Sequence, residues 1–204
     1  MSRTPDETAN GTSRAALLKR AAVAMGAAVA TGGIATGLPR MADSARADAR
    51  DVQILNYALR LEYLMAAFYE NAAGRGLSGE LQQFVETLAG HERRHVVFLQ
   101  RRLGADAVAE PSFDFGDTTR DPDQFASTAY TLEEAAVAAY IAQGANLSRR
   151  LIVPFAQMTS VEARHAAWIA DFLGRPPAPL AADRSKTPAE IRRVIDDLGF
   201  EVSA

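Results

Sequence analysis

Two Glu-x-x-His pairs, Glu92/His95 and Glu162/His165, are the first residues in this chain whose types and spacing could do chemistry. On a helix, a spacing of three residues puts both side chains on one face. Each pair also interrupts an apolar stripe. Around the first, the stripe runs Leu81, Val85, Leu88, then Glu92 and His95, then Leu99. Around the second it runs Leu151, Phe155, Met158, then Glu162 and His165, then Ile169 and Phe172. Such stripes face a core, so these polar residues are expected inside.

Two more glutamates lie on or beside apolar stripes. Glu62 sits beside Leu61 and Met65; Glu133 follows Ala126 and Ala129 and precedes Val137 and Tyr140. Glu134 competes with Glu133, because Tyr130, Val137 and Ile141 form a stripe that suits Glu134, and one residue of helix rotation is about 100°. An internal repeat favours Glu133. Leu61-Glu62 with Ala67 and Tyr69 matches Leu132-Glu133 with Ala138 and Tyr140 at an offset of 71, while Glu92 and His95 match Glu162 and His165 at an offset of 70. The expected site is therefore a pseudo-twofold set: Glu62, Glu92, His95, Glu133, Glu162 and His165.

Burying four carboxylates unpaired would cost on the order of several kcal/mol each. The only lysines are Lys19 and Lys186, and no Arg stands in the stripes. Four carboxylates carry four negative charges, which two divalent cations balance while two imidazoles stay neutral. A donor set rich in oxygen, with some imidazole and no sulfur, suits iron or manganese.

His91 adds a competing pattern. His91-Glu92-Arg93-Arg94-His95 matches H-E-x-x-H, in which both His bind Zn and the Glu is a general base. That peptidase reading leaves Glu162, His165, Glu62 and the repeat without a role, so His91 is expected to flank the ligands or lie at the surface. Tyr69 and Tyr140 fall seven residues after their Glu, on the same face. They read first as core tyrosines with satisfied hydroxyls, and alternatively as redox-active or ligand-supporting residues.

The elements that must position these residues are helices. Ile54, Ala58, Leu61, Met65 and Phe68 recur at helical spacing. Gly74-Arg75-Gly76 ends that helix, and Ser78 suits the N-cap of the next, which runs to about Leu103 before Gly104. Residues 105–120, with Pro111, Gly116 and several Asp, read as a long loop. A third helix runs from near Asp121-Pro122 to about Asn146, and a fourth from about Ser148 to Leu173. Pro154 would kink or delay the fourth. Strand signals are absent. Short links make each helix pair an antiparallel hairpin, and the 16-residue link, reaching about 50 Å extended, can cross the bundle. The fold class is thus all-α, a four-helix bundle with one long crossover between helices 2 and 3. A short C-terminal helix follows Thr187-Pro188-Ala189-Glu190, which has capping-box spacing.

Composition bounds the rest. The 204 residues are 48% hydrophobic and 23% charged, contain no Cys and carry a net charge of −3. That size suits one domain, excludes disulfides and thiolate chemistry, and gives no electrostatic case for nucleic acid. Residues 1–47 read as an export signal. Ser13-Arg14-Ala15-Ala16-Leu17-Leu18-Lys19-Arg20 precedes an uncharged run from Ala21 to Leu38, and Ser44-Ala45-Arg46-Ala47 offers an A-x-A-like cleavage site. It resembles a twin-arginine signal, with Ala15 where the second Arg would stand, so the pathway stays open. The signal holds six of the 22 basic and three of the 25 acidic residues, leaving 16 basic and 22 acidic, net −6. A small acidic protein in the periplasm or outside the cell is expected, with no membrane span once the signal is removed. Residues 48–175 would form the bundle and 176–204 a tail.

The order Glu, Glu-x-x-His, Glu, Glu-x-x-His on four helices is similar to the ferritin-like di-metal carboxylate proteins. The phrases LEYLMAAFY, LEEAAVAAY and VEARHAAWI resemble the exported ferritin-like, desiccation-related members of that superfamily. The resemblance implies a pair of Fe or Mn ions and chemistry on dioxygen or peroxide: oxidation of Fe(II), or removal of oxidant in stress protection. A non-catalytic desiccation or stress protein with a fold-stabilising metal site is the alternative. A homo-oligomer stays open, and nothing specifies a cage.

Overall fold

The computed structural model describes residues 49–202; the export signal expected over 1–47 lies outside them. The main elements are α1 (Ala49–Ala73), α2 (Gly79–Leu103), α3 (Pro122–Gly144), α4 (Arg149–Phe172) and α5 (Pro188–Leu198). None of the described helices is long and apolar enough to cross a membrane.

Local chemistry sets the ends. Asp121 caps α3 by accepting from the backbone N–H groups of Asp123 and Gln124, with Pro122 at the first helical position. Thr187 and Glu190 close the expected capping box on α5. Gly104 ends α2 at φ +59°, a region where a Cβ is disfavoured, and its N–H reaches the Gln100 carbonyl. Ser78 occupies the N-cap of α2 in extended conformation but makes no side-chain capping bond. Pro154 does not delay α4, which begins five residues earlier at Arg149. Pro154 has no N–H to offer the carbonyl one turn back, and α4 runs through it nonetheless.

Helix directions follow from who meets whom. Tyr69 on α1 donates to Glu133 on α3, and Tyr140 on α3 donates to Glu62 on α1, so α1 and α3 are antiparallel. His95 faces Glu162 and His165 faces Glu92, so α2 and α4 are antiparallel too. With α1 and α2 joined as a hairpin, α2 and α3 point the same way. The link between them must therefore return along the bundle, which is the expected crossover.

That link is more structured than a plain loop. Gly104–Asp106 form a 3₁₀ turn, and Ser112–Phe113 (β1) pairs antiparallel with Glu201–Val202 (β2) beyond α5. No strand is expected here from the sequence, because two-residue strands are too short to show alternation. The ladder ties the crossover to the C-terminal segment. Phe200, just before β2, enters the core, 6.2 Å from Phe68 and 5.1 Å from Phe115 between ring centroids. Ile191 of α5 is buried, and the Lys186 N–H reaches the Ala138 carbonyl of α3.

The core is two apolar clusters with a polar layer between them. One gathers Ile54, Leu55, Leu59, Val96, Leu99 and Phe155; the other gathers Met65, Phe68, Phe84, Leu88, Phe125 and Ile169. Phe68 is the hub of the second, stacked on Phe125 at 5.2 Å and edge-on to Tyr69 and Phe115. Replacing Phe68 by Ala is expected to destabilise the metal-free chain by about 3–5 kcal/mol, as truncation of a fully buried aromatic does. Urea unfolding followed by circular dichroism measures it. A loss below about 1 kcal/mol would mean that the cluster collapses around the gap.

Candidate metal centre

The polar layer holds all six residues singled out by spacing. Glu62, Glu92, Glu133 and Glu162 are fully buried and His165 nearly so, while the His95 side chain is 12% exposed. Helical spacing explains the layer: α1 and α3 each turn one Glu inward, and α2 and α4 each turn inward a Glu and the His one turn later. Glu133 is the inward residue of its pair. Glu134 is exposed, with Asp183 and Lys186 as its charged neighbours, so the alternative that the Tyr130 stripe left open closes in favour of the repeat.

The imidazoles are the centres of two overlapping groups. His95 Nδ1 lies 2.8 Å from Glu162, 3.2 Å from Glu92 and 3.4 Å from Glu62. His165 Nδ1 lies 3.1 Å from Glu92, 3.3 Å from Glu162 and 3.6 Å from Glu133. Donor atoms of Glu62, Glu92, His95 and Glu162 converge within 4.8 Å of one another, and so do those of Glu92, Glu133, Glu162 and His165. Glu92 and Glu162 belong to both groups.

One oxygen of each of the four carboxylates is buried without a hydrogen bond: Glu62 Oε2, Glu92 Oε1, Glu133 Oε2 and Glu162 Oε1. Each of these atoms is also one that approaches an imidazole Nδ1 at 2.8–3.6 Å, near but out of hydrogen-bonding alignment. Donors around a small cation held at about 2.1 Å stand roughly 3 Å apart. The orphaned oxygens and the inward nitrogens therefore fit metal ligation, and a buried polar atom with no other partner asks for such an explanation.

Electrostatics agree. Burial, then Glu162 and Glu62, push the Glu92 carboxyl well above the usual carboxylate range. Burial likewise lifts Glu133, against the pull of His165. In Glu162 burial is outweighed by the neighbouring imidazoles of His165 and His95, which hold it low, at about 2. Burial alone would strip the proton from both imidazoles, but the carboxylates prevail: His95 is raised far above its ordinary value and His165 to about 12. Without a cation, protons neutralise this layer.

The tyrosines are arranged across the bundle. Tyr69 donates to Glu133 and Tyr140 to Glu62, so each supports the terminal Glu of the opposite helix, not its own. Burial and those carboxylates raise both phenols well above 10, which keeps them as donors. Sequence spacing placed both on the inward face; the cross-helix partner emerges only when α1 and α3 meet. His91, expected as a flanking residue, has its Nδ1 2.9 Å from His165 Nε2.

Residues 50–175 match the family model of the ferritin-like domain. The chain belongs to the ferritin-like family. The match spans the four helices and every residue of the polar layer. No curated protein matches the chain. A cavity of about 630 Å³ lies between α1, the crossover and α5. Arg60, Arg192, Asp196 and Glu201 give that cavity charges of both signs, which select no ligand charge.

Proposed function

We propose that this ferritin-like domain holds two iron or manganese ions, one on Glu62, Glu92, His95 and Glu162 and one on Glu92, Glu133, Glu162 and His165, and acts in oxidant chemistry outside the cytoplasm. The observation that carries the reading is the pair of overlapping donor groups that share Glu92 and Glu162. When bound, such a pair supplies redox chemistry towards dioxygen or peroxide, with Fe(II) as the electron donor in a ferroxidase reaction.

The protein's part is positioning. Four carboxylates neutralise two divalent ions, so the core accepts the charge it otherwise excludes. Tyr69 and Tyr140 hold the terminal carboxylates in place by donating to one oxygen of each. The apolar clusters above and below keep bulk water from the layer. The export reading of residues 1–47 supports a periplasmic or extracellular site of action.

The deciding experiment loads the purified chain with Fe(II) or Mn(II) and follows two reactions: oxidation of excess Fe(II) in air, and disappearance of added hydrogen peroxide. Turnover above the metal alone, abolished by Glu162→Ala, supports an oxidoreductase. Stable binding of both ions without turnover would overturn it in favour of a stress protein whose metals hold the bundle together.

A further inference from the structure

The six-residue layer is nearly symmetric, and His91 breaks that symmetry. The repeat offset of 70 that relates Glu92 to Glu162 and His95 to His165 relates His91 to Val161. The imidazole of His165 thus has a second imidazole behind it: Nδ1 of His91 lies 2.9 Å from Nε2 of His165, with ring centroids 5.2 Å apart and planes 19° apart. The Nε2 of His95 has no hydrogen-bond partner among the described residues, and its side chain is the more exposed of the two, 12% against 4%.

The two ring nitrogens of His165 have separate tasks. Nδ1 faces Glu92, Glu133 and Glu162, so it must offer its lone pair to a cation there. The ring proton then resides on Nε2, which donates to His91 Nδ1. That bond fixes both tautomer and ring orientation, and partners of this kind are worth about 10–100-fold in metal affinity. His95 must be held by packing and its carboxylates alone.

We propose that His91 is a positioning residue that makes the two metal positions unequal, so that the ion on Glu92, Glu133, Glu162 and His165 binds first and more tightly. The inference rests on the di-metal reading above and adds the order of filling.

The test is a calorimetric titration of the metal-free full-length chain with Mn(II), beside variants whose folding is checked by circular dichroism. The wild-type chain should bind in two steps. His91→Ala should weaken the tighter step by about 10–100-fold and bring the two together, while His91→Gln, whose amide oxygen can accept from Nε2, should retain more of the difference. In a Glu133→Gln background His91→Ala should change nothing further, whereas in a Glu62→Gln background its full effect should remain. Val161→His should tighten the weaker step by placing an acceptor behind His95. Two ions bound with equal affinity in the wild-type chain, or two steps that His91→Ala leaves unchanged, would overturn the proposal while leaving the di-metal centre standing. No binding by the wild-type chain would overturn both.

Discussion

Glu92→Gln should empty both metal positions, whereas Glu62→Gln should empty one. The difference follows from how the carboxylates are shared. Glu92 sends Oε2 to within 3.2 Å of His95 Nδ1 and Oε1 to within 3.1 Å of His165 Nδ1. Glu162 divides its oxygens the same way, 2.8 Å from His95 and 3.3 Å from His165. Among the imidazoles, Glu62 approaches His95, and Glu133 approaches His165. Gln conserves shape and one acceptor oxygen but removes the charge and the second oxygen, so one ion loses a donor outright, the other keeps only a neutral amide oxygen, and the centre loses one of its four negative charges. Elemental analysis after dialysis should find about two ions per chain in the wild type, about one in Glu62→Gln or Glu133→Gln, and close to none in Glu92→Gln or Glu162→Gln. Thermal melts give an independent readout: an ion at about a thousand times its Kd stabilises by about 4 kcal/mol, and Glu92→Gln should lose that increment. One tightly held ion in Glu92→Gln would mean two independent sites and a carboxylate that is not shared.

How much of this was legible in the sequence depends on distance along the chain. The helices and the inward faces of Glu92, His95, Glu162 and His165 follow from a period of 3.6 residues, a strictly local quantity. The charge balance is also local, since it needs only the count of buried carboxylates and the lack of cations among them. Glu133 against Glu134 was not settled by its own helix, whose small alanines leave a broad apolar surface; the internal repeat, a comparison between halves, pointed to the residue that packing selects. Contacts between segments distant in sequence were invisible. Tyr69 pairs with Glu133 and His91 with His165 because antiparallel helices bring residues 64 and 74 apart into register. The β1–β2 ladder joins residues 112–113 to 201–202 by backbone bonds that carry no side-chain signature. Spacing tells which face a residue occupies, and only packing tells what stands opposite.

Stability should respond to pH in opposite directions with and without metal. In the metal-free chain, burial works against the imidazolium forms, but the surrounding carboxylates outweigh it and raise His165 to about 12 and His95 further. Burial raises Glu92 and Glu133 as well. A group whose folded pKa lies above its unfolded one contributes fully below the unfolded value and loses that contribution as pH rises towards the folded value. For the imidazoles the loss starts near their ordinary value of about 6.5. Glu162, held down at about 2, runs the other way, but its contribution is lost only in acid, below the usual carboxylate range. Each proton of difference is worth about 1.4 kcal/mol per pH unit, and 1 kcal/mol moves Tm by about 2–4 °C at this size, so two imidazoles should lower Tm by about 5–10 °C per pH unit above pH 7. Metal reverses the sign: ions compete with these protons for the same donors, so binding releases protons and tightens as pH rises. Melts of metal-free and Mn(II)-loaded chain from pH 6 to pH 9 should therefore diverge, the metal-free Tm falling while the loaded one holds or climbs. A metal-free Tm that stays flat over this range would show that the imidazoles are neutral in the folded chain, and that something other than their protons offsets the four buried carboxylates.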